Sequence, residues 1–228
     1  MDLTCVILTN KPTKDIQTTL ASIGFADETI TLRDLPGTRE IGDFAAQRNL
    51  GLKKAKNDWV LFIDDDEVVS PKLAREIEKA IVTKDFSGYY LRRLDRFHGQ
   101  ILRHGETGNI KIIRLAKKNA GKFVRPVHEV WQIKGNIGKL KNPLLHDRGE
   151  LTGPFIDRIT RYGPIDAQAL ATEGKSFSYW RLLLNPIAKF VLNYKLKFGF
   201  LDGYLGLFHA YLMSVQSLSV RVFQWQEK

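Results

Sequence analysis

One cysteine, Cys5, is all the thiol the 228-residue chain carries. No disulfide framework can form, and a lone thiol in an apolar run points to a core position in a reducing compartment. Signals for export are also missing. The start, Met1-Asp2-Leu3-Thr4, lacks the basic-then-apolar build of a signal peptide, so a cytoplasmic setting is expected. Apolar residues make up 43% of the chain, enough for a core and too few for a polytopic membrane protein. No internal repeat, low-complexity tract, helix-turn-helix, zinc or RNA-recognition signature is present, and nucleic acid is not expected as a partner. Acid is the scarcer charge: 25 Asp and Glu stand against 35 Lys and Arg, for a net charge of +10. That excess by itself implies an anionic partner, whether nucleic acid, a phosphorylated substrate or an acidic membrane surface, without choosing among them.

Against this scarcity of acid, four acidic residues stand together. Trp59-Val60-Leu61-Phe62-Ile63 reads as a buried strand that ends in Asp64-Asp65-Asp66-Glu67. In an open α/β sheet the carboxyl edge of a strand is where ligands bind. Adjacent carboxylates raise one another's pKa unless positive charge lies between them, and an oxygen-bound divalent cation with a phosphate companion meets that need. Alternation in an extended segment puts Asp64 and Asp66 on one side and Asp65 on the other. A solvated acidic turn is the plain alternative.

Strands and helices alternate around this run. Leu3–Thr9 and Glu28–Leu32 read as strands, with a helix from Thr13 to about Ile23 between them. A second helix is expected over Asp43–Lys56. Ser70-Pro71 supplies an N-cap and a first-turn proline for a third, ending near Val82. The order predicts a mostly parallel sheet with right-handed crossovers. Gly88–Leu91 and Ile110–Ile113 look like further strands, separated by a charged, glycine-bearing loop over 95–109. From about Gly153 the chain looks wholly helical. Two domains follow: an α/β domain over 1–150 and a helical extension over 151–228.

Several segments, in order, resemble the family 2 glycosyltransferases, and among them the bacterial lipopolysaccharide-core β-glucosyltransferase type. They are Phe44-Ala45-Ala46-Gln47-Arg48-Asn49, Lys56-Asn57-Asp58-Trp59-Val60-Leu61, the acidic run, Arg125-Pro126-Val127-His128-Glu129, Leu144-Leu145-His146, and Phe198-Gly199-Phe200-Leu201-Asp202-Gly203. The resemblance implies a GT-A fold and an inverting, metal-dependent transfer from a nucleotide-sugar, UDP-linked by family habit, to a cell-envelope glycan or glycolipid. Asp64 and Asp66 are then expected at a Mg²⁺ or Mn²⁺ ion and the diphosphate, and Asp65 at the ribose. His146 would complete the metal shell, or else be a satisfied core histidine. Glu129 is expected as the general base that deprotonates the acceptor. Arg48 would contact donor phosphate or pair with the acidic run. Arg92, Arg93 and His128 would face the acceptor, although a solvated basic face explains the two arginines equally well and His128 would otherwise be a packed or orienting histidine. Members usually carry Val-x-Asp-x-x-Ser-x-Asp after the second strand. Here Thr31-Leu32-Arg33-Asp34-Leu35-Pro36-Gly37-Thr38 stands instead, with Asp34 in the nucleobase position and the Ser/Asp pair missing.

Three other readings remain open. Asp64-x-Asp66-x-Val68 superficially matches the nucleophile loop of haloacid-dehalogenase-type phosphohydrolases, a catalytically degenerate transferase-like binding protein fits the altered motif, and a non-enzymatic basic nucleic-acid binder fits the charge. The apolar, lysine-bearing C-terminal helices suit either packing on the catalytic domain or a peripheral seat on the inner face of the cytoplasmic membrane.

Overall fold

The computed structural model describes residues 2–33, 43–83, 85–97, 99–125, 129–149 and 152–226. Two of the residues singled out above, Asp34 and His128, lie outside them. The chain divides into two compact units, one of Met1–Arg93 with Lys111–Asp147, the other of Leu94–Ile110 with Arg148–Lys228.

The first unit is α/β, as the alternation of elements predicts. Its centre is β1 (Leu3–Leu8), six residues all buried. The strands β2 (Glu28–Leu32) and β3 (Trp59–Asp64) lie parallel to β1 on either side of it, with Leu8 level with Leu32 and with Asp64. Asp64 therefore closes the carboxyl edge of a parallel trio. The crossovers are a 3₁₀ turn, Thr13–Ile16, leading into α1 (Gln17–Ser22), and then α2 (Phe44–Lys54). Thr13 does not cap the first of these; its hydroxyl accepts from Arg33 Nη2 at 2.7 Å. Asp43 caps α2 through Ala46 N at 2.8 Å, and Ser70 caps α3 (Pro71–Ile81) through Leu73 N at 3.2 Å. Local chemistry sets these two helix starts.

Beyond β3 come β4 (Glu67–Val68), β5 (Gly88–Phe97), β6 (Gln100–Ile101) and β7 (Ile110–Lys117). A ribbon of β8 (Gly121–Val124) and β9 (Val130–Ile133) follows, then β10 (Ile137–Lys139) and β11 (Leu144–Gly149). The main sheet runs β2-β1-β3-β7-β5-β11-β4, with β6 and β10 also on β5. Pairing turns antiparallel at β3–β7 and β11–β4. The stretch expected as a loop over 95–109 is partly strand: β5 runs to Phe97, and β6 folds back so that Phe97 pairs with Gln100.

Period-2 alternation gives the first unit two apolar clusters. Leu3, Cys5, Ile7, Leu61 and Ile63 join Leu73 and Ile77 of α3. Val6, Leu8, Val60 and Phe62 join Ala45 of α2 and Phe123 and Trp131 of the ribbon. Burial pushes the Cys5 thiol up to about 12, so it stays protonated and inert. Close approach of α2 depends on Gly51: a Cβ there would lie 3.0 Å from Val6 and 3.1 Å from Phe62.

The second unit is dominated by α4 (Thr152–Thr172), α5 (Tyr179–Val191) and α6 (Gly203–Gln226). A π-helical turn, Leu192–Leu196, and a 3₁₀ turn, Gly199–Asp202, join the last two. α6 packs on both α4 and α5. Asp202 is an internal acceptor, taking hydrogen bonds from Arg103 N at 3.0 Å and His104 N at 2.8 Å. Asp95, 2% exposed, is paired with Arg148 at 3.4 Å. Among the described residues no helix is long and apolar enough to cross a membrane.

Candidate functional site

At the edge of β3, Arg48 ties Asp64 to Glu129. It sits on α2 one turn before Gly51, so it faces the sheet, and its side chain is only 2% exposed. A buried guanidinium needs anionic partners and finds two. Its Nε donates to Glu129 Oε1 at 2.6 Å, and its Nη2 donates to Asp64 Oδ1 at 2.8 Å. Its plane lies over the Phe62 and Phe123 rings, 5.5 and 5.7 Å from their centroids. The neighbouring Asn49 staples the helix to the ribbon: its Nδ2 donates to Phe123 O and its Oδ1 accepts from Phe123 N, both at 2.9 Å. Phe123 in turn stacks on Trp131 at 4.7 Å.

A second arginine completes the arrangement. Arg114 of β7 donates through Nη2 to Asp64 Oδ2 at 2.5 Å, and its Nη1 lies 3.8 Å from Glu129. Both oxygens of Asp64 are thereby matched to guanidinium groups. Burial works against the charged form of Asp64, but Arg114 and Arg48 outweigh it and hold the carboxyl well below the usual range. Glu67, fully buried, accepts from Asp64 N at 2.9 Å and has Arg93 and Arg114 each 3.9 Å away. Burial, followed by the charge of Asp64, moves the Glu67 carboxyl upward. Neither Arg114 nor a role for Glu67 is identified from the sequence. The available signal was Arg114 itself, a charge inside the apolar run Ile112-Ile113-Arg114-Leu115-Ala116, which must have a buried partner.

The acidic run does not alternate as an extended strand would. β3 ends at Asp64, Asp65 and Asp66 form a turn, and the three carboxylates diverge. Asp65 turns toward the end of β1, accepting from Thr9 Oγ1 at 2.6 Å and from Lys11 Nζ at 2.8 Å. Asp66 faces His146, with Oδ2 3.0 Å from the imidazole Nε2. The pairing of His146 with Glu67 across β11 and β4 sets that position. Among the described residues no group of three or more His, Cys, Asp and Glu is placed to share a metal ion. The donor chemistry of Asp66 and His146, one carboxylate oxygen beside one ring nitrogen, fits two ligands of a divalent cation. Asp64, engaged by two arginines, is not joined to that pair.

Arg92 and Arg93 part company because neighbours on a strand point to opposite faces. Arg92 is exposed, whereas Arg93 turns inward toward Glu67. Beside the arginine pair lies a cavity of about 180 Å³ whose lining includes Tyr90, Lys111, Arg114, Phe123, Glu129 and Trp131. Glu129, 14% exposed, thus reaches both the arginine network and an open volume.

The cluster of arginines and carboxylates stands at the carboxyl edge of an α/β sheet, the edge at which open sheets of this class take ligands. The glycosyl transferase family 2 model matches residues 13–130, and the chain belongs to that family. Family membership displaces the phosphohydrolase reading of Asp64 and Asp66. An uncharacterized glycosyltransferase of Rickettsia typhi is 24% identical over 176 residues, covering 72% of this chain and 60% of the relative. Its counterpart in Rickettsia prowazekii is 23% identical over the same shares. The chain therefore spans about three fifths of the length of these curated relatives. Among solved structures, a mannosyltransferase from Pyrobaculum calidifontis, in complex with GDP-Man and Mn²⁺, aligns with a TM-score of 0.51 at 12% identity. The alignment covers 100% of this chain and 88% of that one. The fold is that of the GT-A glycosyltransferases.

Proposed function

We propose that the chain transfers a sugar from a nucleotide-sugar donor to a cell-envelope glycan or glycolipid, with inversion at the anomeric carbon. The observation that carries this reading is the Arg48 fork. One guanidinium holds Glu129 at the wall of a cavity while also holding Asp64 at the sheet edge. Glu129 takes the proton from the acceptor hydroxyl as its oxygen attacks the anomeric carbon. The bond from that carbon to the diphosphate oxygen breaks on the opposite face, and the electron pair leaves with the diphosphate. Arg48 and Arg114 keep the Glu129 carboxylate aimed.

Asp66 and His146 would hold a Mg²⁺ or Mn²⁺ ion, whose charge would offset that building on the diphosphate. The Mn²⁺ and GDP-Man held by the mannosyltransferase of similar fold support this class of donor and cation. Asp65, tied to Thr9 and Lys11 at the end of β1, would read a ribose hydroxyl of the donor. The resemblance to lipopolysaccharide-core β-glucosyltransferases supports UDP as the carrier and an envelope acceptor at the inner face of the cytoplasmic membrane. A thermal-shift panel of UDP-, GDP- and dTDP-sugars with and without Mn²⁺ tests the reading. One donor class should stabilise the protein, more so with Mn²⁺, and no stabilisation by any of them would refute it.

A further inference from the structure

The outer surface of the second unit is apolar where a water-facing helix pair would be polar. On α6, Tyr204, Phe208, Tyr211, Val215, Leu218 and Trp225 are each at least 41% exposed. Their spacings of three, four and seven residues make them one stripe. The turn between α5 and α6 exposes Leu196 at 67%, Phe198 at 56%, Phe200 at 46% and Leu201 at 61%. These two sets are continuous. Ring contacts step from Tyr211 to Phe190 at 4.7 Å, to Tyr194 at 5.5 Å, to Phe200 at 6.3 Å and to Phe198 at 6.2 Å.

Three features say what covers this surface. The first is charge. Over residues 174–226 there are six Lys and Arg and a single acid, Asp202, and Asp202 is spent on Arg103 N and His104. Lys195 and Lys197, both exposed, alternate with Leu196 and Phe198 at the turn. The second is composition. A coiled-coil seam between copies wants aliphatic residues flanked by opposite charges. The α6 stripe is mostly aromatic, and Arg221 is the one Lys, Arg, Asp or Glu in the helix. Tyr and Trp beside basic residues belong to the water–lipid boundary. The third is backbone. Phe198 holds φ at 58°, a left-handed conformation costly for a bulky side chain, yet its ring is not packed inward.

We propose that the α5–α6 turn is a membrane-docking tip. Leu196, Phe198, Phe200 and Leu201 enter the headgroup boundary of an anionic bilayer, Lys195 and Lys197 meet lipid phosphates, and the aromatic stripe of α6 lies along the surface. With no spanning helix among the described residues, the unit lies on the bilayer. This deepens the envelope-acceptor reading and rests on it for its purpose, since it brings the chain to a lipid-borne substrate.

The test is flotation of the full chain with vesicles of phosphatidylcholine alone or mixed with phosphatidylglycerol. Binding should need the anionic lipid. Phe198→Gly with Leu201→Ser removes two apolar groups while glycine suits the left-handed backbone, so the fold should stand and vesicle affinity should fall about tenfold or more. Lys195→Gln with Lys197→Gln should cost about fivefold per lysine on anionic vesicles. Equal flotation of the parent and the Phe198→Gly/Leu201→Ser protein would overturn the proposal. So would lipid-independent self-association that the same substitutions abolish, which assigns the patch to a second copy. The nucleotide-sugar thermal shift, run on the same proteins, reports separately: flotation without any shift leaves docking standing and removes the transferase reading.

Discussion

Arg48 and Glu129 are 81 residues apart in the chain and 2.6 Å apart in space. The bond joins a helix that crosses between two parallel strands to the residue just before β9. Because Arg48 also grips Asp64, one side chain ties the strand edge to the cavity wall.

Glu129→Gln keeps an oxygen for Arg48 and removes the ability to accept a proton. Transfer to acceptor should fall about 10²–10⁴-fold, with donor binding retained. Single-turnover transfer and nucleotide-sugar titration read the two separately, and unchanged turnover would remove Glu129 from the chemistry.

Arg48→Ala removes one of the two guanidinium groups that Asp64 and Glu129 share, leaving Arg114 alone with them, and strips the cation from the Phe62 and Phe123 rings. Breaking a buried pair in this way costs about 3–5 kcal/mol. Urea unfolding should show a correspondingly lower midpoint, and Arg48→Lys should recover little of it because an ammonium cannot fork.

His146→Ala removes the ring nitrogen beside Asp66. The Mn²⁺-dependent part of donor affinity should disappear while the metal-independent part persists. Calorimetric titration of the nucleotide with Mn²⁺ and with a chelator checks this. An undiminished Mn²⁺ effect would place the ion elsewhere.

His209, 5% exposed on α6, contacts Thr107 Oγ1 at 2.9 Å and packs near the Phe97 and Phe155 rings. Burial lowers its pKa from 6.5 to about 4, against the opposing charges of Asp95, Glu106 and Asp202 and with the help of Arg148. The folded state thus prefers the neutral ring. Its contribution is complete above about pH 6.5 and is lost as pH falls toward 4, a loss of about 3 kcal/mol. Unfolding titrations across that window should show the decline, and His209→Gln should flatten it.

The lysine-flanked turn at Phe198 shows how partial a sequence reading is. Its apolar residues and lysines are visible in the sequence, and so is the choice between packing and membrane. Which faces stay bare is not, because that depends on how α4, α5 and α6 share their stripes.

What the amino-acid order determined by itself was local or periodic. The buried runs of β1 and β3, the Asp43 and Ser70 caps and the helical C-terminal part follow from chemistry within a few residues. The ordered motifs pointed to the family, and Glu129 among them. Only the tertiary structure decided the partners. It ended β3 at Asp64, sent Asp65 and Asp66 to different neighbours, and brought Arg114 from β7 to share Asp64 with Arg48. A charge buried at a sheet edge must be matched, but which distant residue matches it depends on strand order and register, and these emerge only when the sheet is assembled.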